Sequence, residues 1–521
     1  MSGRVAALHC EHPAIGAFPT ARIPLKKSAK PDGAPSLNKL LFEAGQQCHK
    51  RLWLDVHDPL EPLVSSSRRE MSRIGAELRE LARTAFPMGV AITQADGDEA
   101  AEATAAELAA GAPVLFDAAF AADGVEARCD ILVVHKDRRV DLFEIKSGTK
   151  VKQRYVHDLA LQANVLAASG YELQRAYLLH VNPRYLHSAG ADYPPMELLR
   201  SSDVTSKVVK QQPNVARKLQ ELQRVIDADD APTPPMGTYC TTPFPCPHGS
   251  RCAAAAPALP LTKLPELTRQ LEAELHREGV EDLAAVDPER EGLTFRQRRA
   301  LQCHAQGERI VEPLLREELA ACEHPLHFLA VAVITDPLPI FGQQRPWQRT
   351  PFAWGLRTRH ADGRVEEHAF TQVDRDDPRS AFLKSLSRQL EVGGTVVVWG
   401  EECLTELRPL LDTLPDEKSS VRALLGSDHL DLRALFESTI FDAELTSFRD
   451  IATVVAALLD DPSGADLAAL DPDARFELVQ KARTPRVRVA TREKIAATVA
   501  DALRWQAERL AALFETFAAE A

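Results

Sequence analysis

Asp130, Glu144 and Lys146 lie in the stretch CDILVVHKDRRVDLFEIKSG, residues 129–148, and their types could do chemistry together. Side chains alternate faces along a strand, so Glu144 and Lys146, two residues apart, point the same way, beside Asp130 on the preceding strand. Two arrangements account for two carboxylates and an ammonium on an otherwise apolar sheet. One is an ion pair at a sheet edge. The other is a centre for a hard divalent cation, which takes oxygen ligands and assists phosphodiester cleavage. In that case Asp130 and Glu144 supply two oxygens, the carbonyl of Ile145 supplies a third, and Lys146 holds the attacking water or steadies charge on the phosphate. Without a cation, the same set would bury net negative charge, which is costly.

A second group of residues suits softer chemistry. The chain has nine cysteines, an odd number, and three of them fall in YCTTPFPCPHGSRC as Cys240, Cys246 and Cys252, separated by equal gaps in a proline-interrupted loop. Three thiolates held this way are poor packing material and good ligands for a soft metal. A fourth ligand is needed, and Cys48 in QQCHKRLWL is the clearest candidate. Zinc competes with a cluster here, with His248 as an alternative ligand, although the usual CxxC knuckles are missing.

The elements that must position these residues follow from the patterning. Residues 1–35, rich in Pro, Gly, Ala and Lys, predict a loose arm. Residues 38–57 have helical apolar spacing and carry Cys48, and residues 66–86 predict a second helix with a charged outer face. Strands are expected within 112–134 and over 139–146, a helix over 155–170 carrying Gln162, and a buried strand over 175–181. Strands, a helix and a further strand make a mixed α/β core. The Pro- and Cys-rich segment closes this domain near residue 256, and short helices fill a linker region, 257–325. From 326 to 521, strand patterns at 327–335, 352–360, 366–373 and 393–400 precede Ala- and Leu-rich helices, predicting a second α/β domain.

Composition bounds the function classes. Of the 521 residues, 45% are hydrophobic and 26% charged, which is ordinary for a soluble globular chain. No run approaches the roughly 18–20 apolar residues of a membrane span. The first residues lack a signal-peptide pattern, so a cytoplasmic location without membrane contact is expected. A net charge of −13 excludes a surface broadly coated in basic residues, but not a local basic groove.

The order Asp130, Glu144-x-Lys146, then a helix with Gln162 resembles the PD-(D/E)XK nuclease core in its RecB-like branch. That branch includes the CRISPR-associated and AddB-type iron–sulfur nucleases. The usual Gln-x-x-x-Tyr departs here, with Leu166 where the Tyr would stand and Tyr155 at the wrong spacing. One cysteine before the core and three after it are similar to the cluster ligands of that branch, where the cluster staples the ends of the domain. The resemblance therefore implies a restriction-endonuclease-like core over 36–256 with a [4Fe–4S] cluster on Cys48, Cys240, Cys246 and Cys252. It also implies Mg²⁺ or Mn²⁺ on Asp130, Glu144 and Ile145, with Lys146 assisting. An upstream acidic residue is expected on the helix before the core, with Glu77 and Glu80 as candidates, and Asp117 within reach of the site.

Together these strings resemble a bacterial family that fuses such a nuclease to an RNase H-like, DnaQ-type exonuclease domain. The acidic positions of that second domain fall on Ala330, Ala332 and Leu404, with Asp431 and Asp501 at later positions, so 326–521 is expected to be inactive. The implied activity is metal-dependent DNA hydrolysis, exonucleolytic on single-stranded ends, with a helicase or another repair or defence protein as partner. The alternative is a non-catalytic nucleic-acid-binding or assembly protein with degenerate sites.

Overall fold

The computed structural model describes residues 36–61, 66–95, 97–443, 445, 447–461 and 472–519. The expected arm, 1–35, lies outside them. The fold is mixed α/β, with two large sheets and one small one. Among the described residues no helix is long and apolar enough to cross a membrane.

The first unit runs α1 (Lys39–Gln47), α2 (His49–His57), α3 (Ser66–Arg83), β1 (Gly89–Ala91), α4 (Asp98–Ala109), β2 (Val114–Ala122), β3 (Val125–Val134) and β4 (Arg139–Lys146). It continues with α5 (Gln153–Ala168), β5 (Glu172–Val181), α6 (Pro195–Leu198), β6 (Leu199–Asp203) and α7 (Thr205–Ile226). Strands β1 to β6 form one sheet in sequence order. β2, β3 and β4 are an antiparallel meander, and α5 then crosses over to bring β5 parallel to β4. Asp123 and Gly124, at φ 52° and 79°, make the two-residue turn between β2 and β3; such left-handed pairs match the twist of the flanking strands.

β4 is covered on both sides, so apolar residues from both of its faces, Val140, Leu142, Phe143 and Ile145, are buried. Val140 and Leu142 pack with Val156, Leu159 and Leu166 of α5. Phe143 and Ile145, on the opposite face, pack with Ile74 and Leu78 of α3. Glu144 and Lys146 continue the Val140–Leu142 row, so they face α5 and not α3.

The predicted single helix over 38–57 is two helices. Cys48 adopts φ −160° and ψ 129°, extended backbone that ends α1 and starts α2. Apolar spacing runs unbroken through this point, so the pattern hides the break. The corner turns Cys48 toward the segment after α7. Gln47 Nε2 donates to the carbonyls of Tyr239 and Phe244, both at 2.8 Å.

A connecting region holds α8 (Gly249–Ala253), α9 (Arg269–Arg277), α10 (Phe295–Gln306), β7 (Ile310–Val311) and α11 (Pro313–Ala320). The second unit then runs β8 (Leu326–Ile334), β9 (Thr350–Arg359), β10 (Val365–Thr371), α12 (Arg379–Gln389), β11 (Thr395–Val398), α13 (Glu402–Thr405) and α14 (Leu410–Thr413). It goes on with α15 (Lys418–Leu425), β12 (His429–Asp431), α16 (Leu432–Thr439), β13 (Ile440–Phe441) and α17 (Ile451–Leu459), followed by helices Pro472–Arg483 and Val489–Ala519. Its sheet order is β10-β9-β8-β11-β12, antiparallel in the first three strands and parallel from β8 onward. All four strands expected from the sequence are present. Gly355 lets the last helix press against β9, since a Cβ there would come 2.6 Å from the Leu503 carbonyl carbon.

The loop between β8 and β9 ties the two units together. Asp336 accepts from Arg73 Nη2 of α3 at 2.7 Å, and Pro339 accepts from the Tyr193 hydroxyl at 2.9 Å. Trp347 donates its indole N–H to the carbonyl of Ser147, directly after Lys146, at 2.7 Å. Asp336, two residues past the end of β8, is thus a contact between the units.

Candidate functional site

The β3–β4 ladder closes with Ile131 opposite Phe143. One step further, where Asp130 would face Glu144, no ladder pair forms, and Asp130 Oδ2 accepts the Ile145 N–H at 2.8 Å. Ile145 therefore joins the site through its N–H. The alternation of faces also breaks here: Ala127 and Cys129 pack on the α5 side, Ile131 on the α3 side. Across the β2–β3 ladder, Asp117 falls between the pairs Phe116–Ile131 and Ala118–Cys129 and has φ 53°, a left-handed conformation rare for a residue with a side chain. Its carboxylate pairs with Arg83 of α3, not with the centre.

Glu144 is the hub. Lys146 Nζ lies 2.7 Å and Lys39 Nζ 2.8 Å from its Oε1, while Gln162 Nε2 donates to its Oε2 at 2.8 Å. The same two ammoniums reach Asp158 Oδ2, at 2.8 Å from Lys146 and 3.2 Å from Lys39. Two carboxylates and two ammoniums so form a closed four-membered ring of charge. Three of its supports share one face of α5: Tyr155, Asp158 and Gln162 are three and then four residues apart. The Tyr155 ring lies under Lys146, with Nζ 5.2 Å from its centroid.

The electrostatics follow from this ring. Burial works against the charge on Glu144, but Lys146 and Lys39 outweigh it and hold the carboxyl well below the ordinary range. Burial likewise works against the ammoniums, and Glu144 and Asp158 raise both Lys39 and Lys146 above their ordinary value. Asp130 differs. Burial, then the charge of Glu144, push it up to about 7. Among the described residues it has no ion-pair partner, so it is a carboxyl that needs a proton or a cation.

Since 7 lies above the ordinary 3.8, the folded chain holds this proton longer than the unfolded chain, and stability falls as pH rises through that window. With divalent ions chelated, Asp130→Asn should therefore be more stable than the parent at pH 8 by about 2–4 kcal/mol. At pH 5 the difference should fall to about 1–2 kcal/mol, and it should vanish only below pH 3.8, where the unfolded chain holds the proton as well.

Several expectations need correction. The negative charge expected without a cation remains, but it falls on Asp130 alone, because Glu144, Asp158, Lys39 and Lys146 balance one another. Glu77 does not join the centre: α3 covers the opposite face of the sheet, and Glu77 accepts from Arg73 at 2.6 Å beside Asp336. Glu80 is paired with Arg83 at 2.6 Å and mostly exposed. Tyr155, set aside on spacing, lies in the centre two turns before Gln162, whereas Leu166 is fully buried in the core. Lys39 and Asp158 are absent from the sequence reading. Asp158 had a signal, being the one acid of α5 and one turn before Gln162; Lys39, over a hundred residues upstream of Glu144, had none.

The cysteines meet where α1 turns into α2. Burial, then the neighbouring Cys48 and Cys252, push up the Cys240 thiol, although a Gly237 N–H opposes this. Burial also raises Cys246, with Cys48 and Cys240 adding to it. The four sulfurs are thus electrostatic neighbours, half-buried and free of disulfides. Burial and proximity thus oppose the thiolate form at Cys240 and Cys246, and a bound cation would favour it. Among the described residues no three Cys, His, Asp or Glu side chains form a ready-made metal-holding group. Buried His248 bonds through Nε2 to Asp55 at 2.7 Å.

In the second unit, Ala330 and Ala332 are buried in β8. Asp431 is used structurally, accepting the N–H groups of Gly400, Glu401 and Ala434. Leu404 is buried, Glu402 pairs with Arg433 at 2.7 Å, and Asp501 pairs with Arg504 at 2.8 Å on the surface.

Residues 327–449 match a domain family of unknown function, DUF2779. Neither a curated protein nor a solved structure matches the chain.

Proposed function

We propose that residues 36–256 are a metal-dependent DNA nuclease of the RecB-like PD-(D/E)XK kind, acting on single-stranded ends. The observation that carries this reading is the joining of Asp130, Glu144, Lys146 and Gln162 in one centre at the open end of the β3–β4 ladder. The meander–helix–parallel-strand topology supports it. The unpaired carboxyl of Asp130 beside Glu144 fits a hard divalent ion such as Mg²⁺ or Mn²⁺, held by both carboxylates. Such an ion would supply Lewis-acid activation of water and neutralise charge on the phosphate. Gln162 fixes the rotamer of Glu144, and Asp158 and Tyr155 hold the Lys146 ammonium where it can donate to a nucleophile or a phosphate oxygen.

Cys48, Cys240, Cys246 and Cys252 would hold a [4Fe–4S] cluster. The sheet order β10-β9-β8-β11-β12 supports an RNase H-like second domain, and alanines at 330 and 332 support its inactivity. A two-metal site cannot be built from Asp431 and Asp501 when one caps α16 and the other is paired at the surface.

The test is cleavage of single-stranded DNA by anaerobically purified protein with Mn²⁺, beside Asp130→Ala and Lys146→Ala. Cleavage by the parent alone is expected; equal activity in all three would remove the assignment. The ring of compensated charge and the packed Leu166 favour a second reading, a non-catalytic nucleic-acid-binding protein. Binding to DNA ends with no cleavage in any divalent metal would select it.

A further inference from the structure

We propose that Lys39 is a built-in counter-ion that a divalent cation must displace from Glu144 to enter the centre. This rests on the reading of Asp130 and Glu144 as ligands of a divalent ion, and goes beyond it by assigning the residue that controls loading.

Glu144 has few vacant lone pairs. Its Oε1 already accepts from both Lys39 and Lys146, and its Oε2 from Gln162. A dication on the same carboxylate would face two ammoniums at contact distance, and like charges so close inside a protein repel strongly. One lysine has to leave. Lys146 is the less mobile: it lies in β4 with its side chain 15% exposed, and the Tyr155 ring lies beneath it. Lys39 is at the rim, with its side chain 36% exposed.

The position of Lys39 in its helix supports the same assignment. It is the first residue of α1, where the helix dipole disfavours a cation. The cap at this end is made without it, since Asn38 accepts the Leu41 N–H at 3.1 Å. Glu144 and Asp158 hold the ammonium inward as its ion-pair partners, with the charge of Glu43 behind Asp158. When a dication takes over the charge on Glu144, the dipole and the open rim both favour an outward Lys39, while Asp158 keeps Lys146 in place.

Two measurements on the full chain test this, with Mn²⁺ alone as the probe. Free Mn²⁺ is titrated by electron paramagnetic resonance in the parent, Lys39→Met, Lys39→Arg and Asp130→Asn. Lys39→Met is expected to bind Mn²⁺ about tenfold more tightly than the parent, Lys39→Arg about equally, and Asp130→Asn much less tightly. Acylation of Lys39 by a water-soluble amine reagent is followed by mass spectrometry in the parent with and without Mn²⁺. This arm does not depend on a variant folding. Mn²⁺ should raise the labelling rate at Lys39 severalfold, and should leave it unchanged in Asp130→Asn. Asp130-dependent Mn²⁺ binding with no gain in Lys39→Met and no change in labelling overturns the role of Lys39 and leaves the metal centre standing. No Asp130-dependent binding in any chain overturns both.

Discussion

Glu144→Ala is expected to lower folding stability by about 3–5 kcal/mol, and adding Lys39→Met to recover a substantial part of that loss. Glu144 Oε1 is shared by two ammoniums, so removing it leaves Lys39 and Lys146 facing each other with Asp158 as their shared ion-pair partner. Breaking a buried ion pair on one side is far more harmful than never having had it, because the other charge stays behind without compensation. Gln162 adds to the cost. It is 2% exposed, and among the described residues its Oε1 has no partner and its Nε2 would lose its one acceptor. Removing Lys39 as well restores one ammonium to one carboxylate. The double variant should then lie above the sum of the two single losses in a urea cycle run at pH 7 with divalent ions chelated. Strict additivity would mean that Lys39 is solvated in solution and does not belong to the ring. Cleavage should be lost in both Glu144 chains, so the stability cycle reports on the ring independently of catalysis.

How far the sequence revealed this centre depended on where each residue sat. Glu144 and Lys146 were legible because a period of two fixes the face of a strand whatever surrounds it. Gln162 was legible because it follows on the next helix. The sequence did not say which helix covers which face of the sheet, and that decided the fate of Glu77. α3 packs on the Phe143–Ile145 side, opposite the centre, and a charged helix face looks the same in either place. Lys39 was hidden by distance along the chain and by type, since a lysine opening a helix has an ordinary explanation as a solvated residue. Asp158 was within reach of the argument: the one acid of α5, on the face that also carries Gln162, has to be paired if it is buried. The corner at Cys48 was illegible because the apolar spacing of α1 and α2 stays in phase across it. In the second unit the four longer strands were legible from apolar and aromatic runs, whereas β12, with three residues, falls below what periodicity can resolve.

The cysteine corner carries the second large effect. With the proposed cluster in place, Cys48→Ser should lose its iron and its brown colour and unfold about 10 °C below the parent, the equivalent of several kcal/mol in a domain of this size. Cys322→Ser, remote from the corner, is the control and should change neither. The corner does not depend on sulfur alone. Trp53 Nε1 donates to the Ala228 carbonyl at 2.8 Å, His57 reaches the Ile226 carbonyl at 2.8 Å, and Arg251 bonds to Asp58 at 2.6 Å. These bonds should keep the serine variant folded at low temperature, so the loss is measurable as a shift and not as an insoluble chain. Iron and zinc content then separate the two metals, because a zinc site would give the same thermal shift in a colourless protein. If the parent binds neither metal and Cys48→Ser unfolds with it, the hydrogen-bonded seam alone closes the domain. The shift also bears on the acidic centre, since α1 spans only about 13 Å from Cys48 back to Lys39. A corner loosened at Cys48 should free the first turn of α1, and Lys39 in Cys48→Ser should be acylated faster than in the parent even without Mn²⁺. Unchanged labelling would show that Glu144 and Asp158 hold Lys39 without help from the corner.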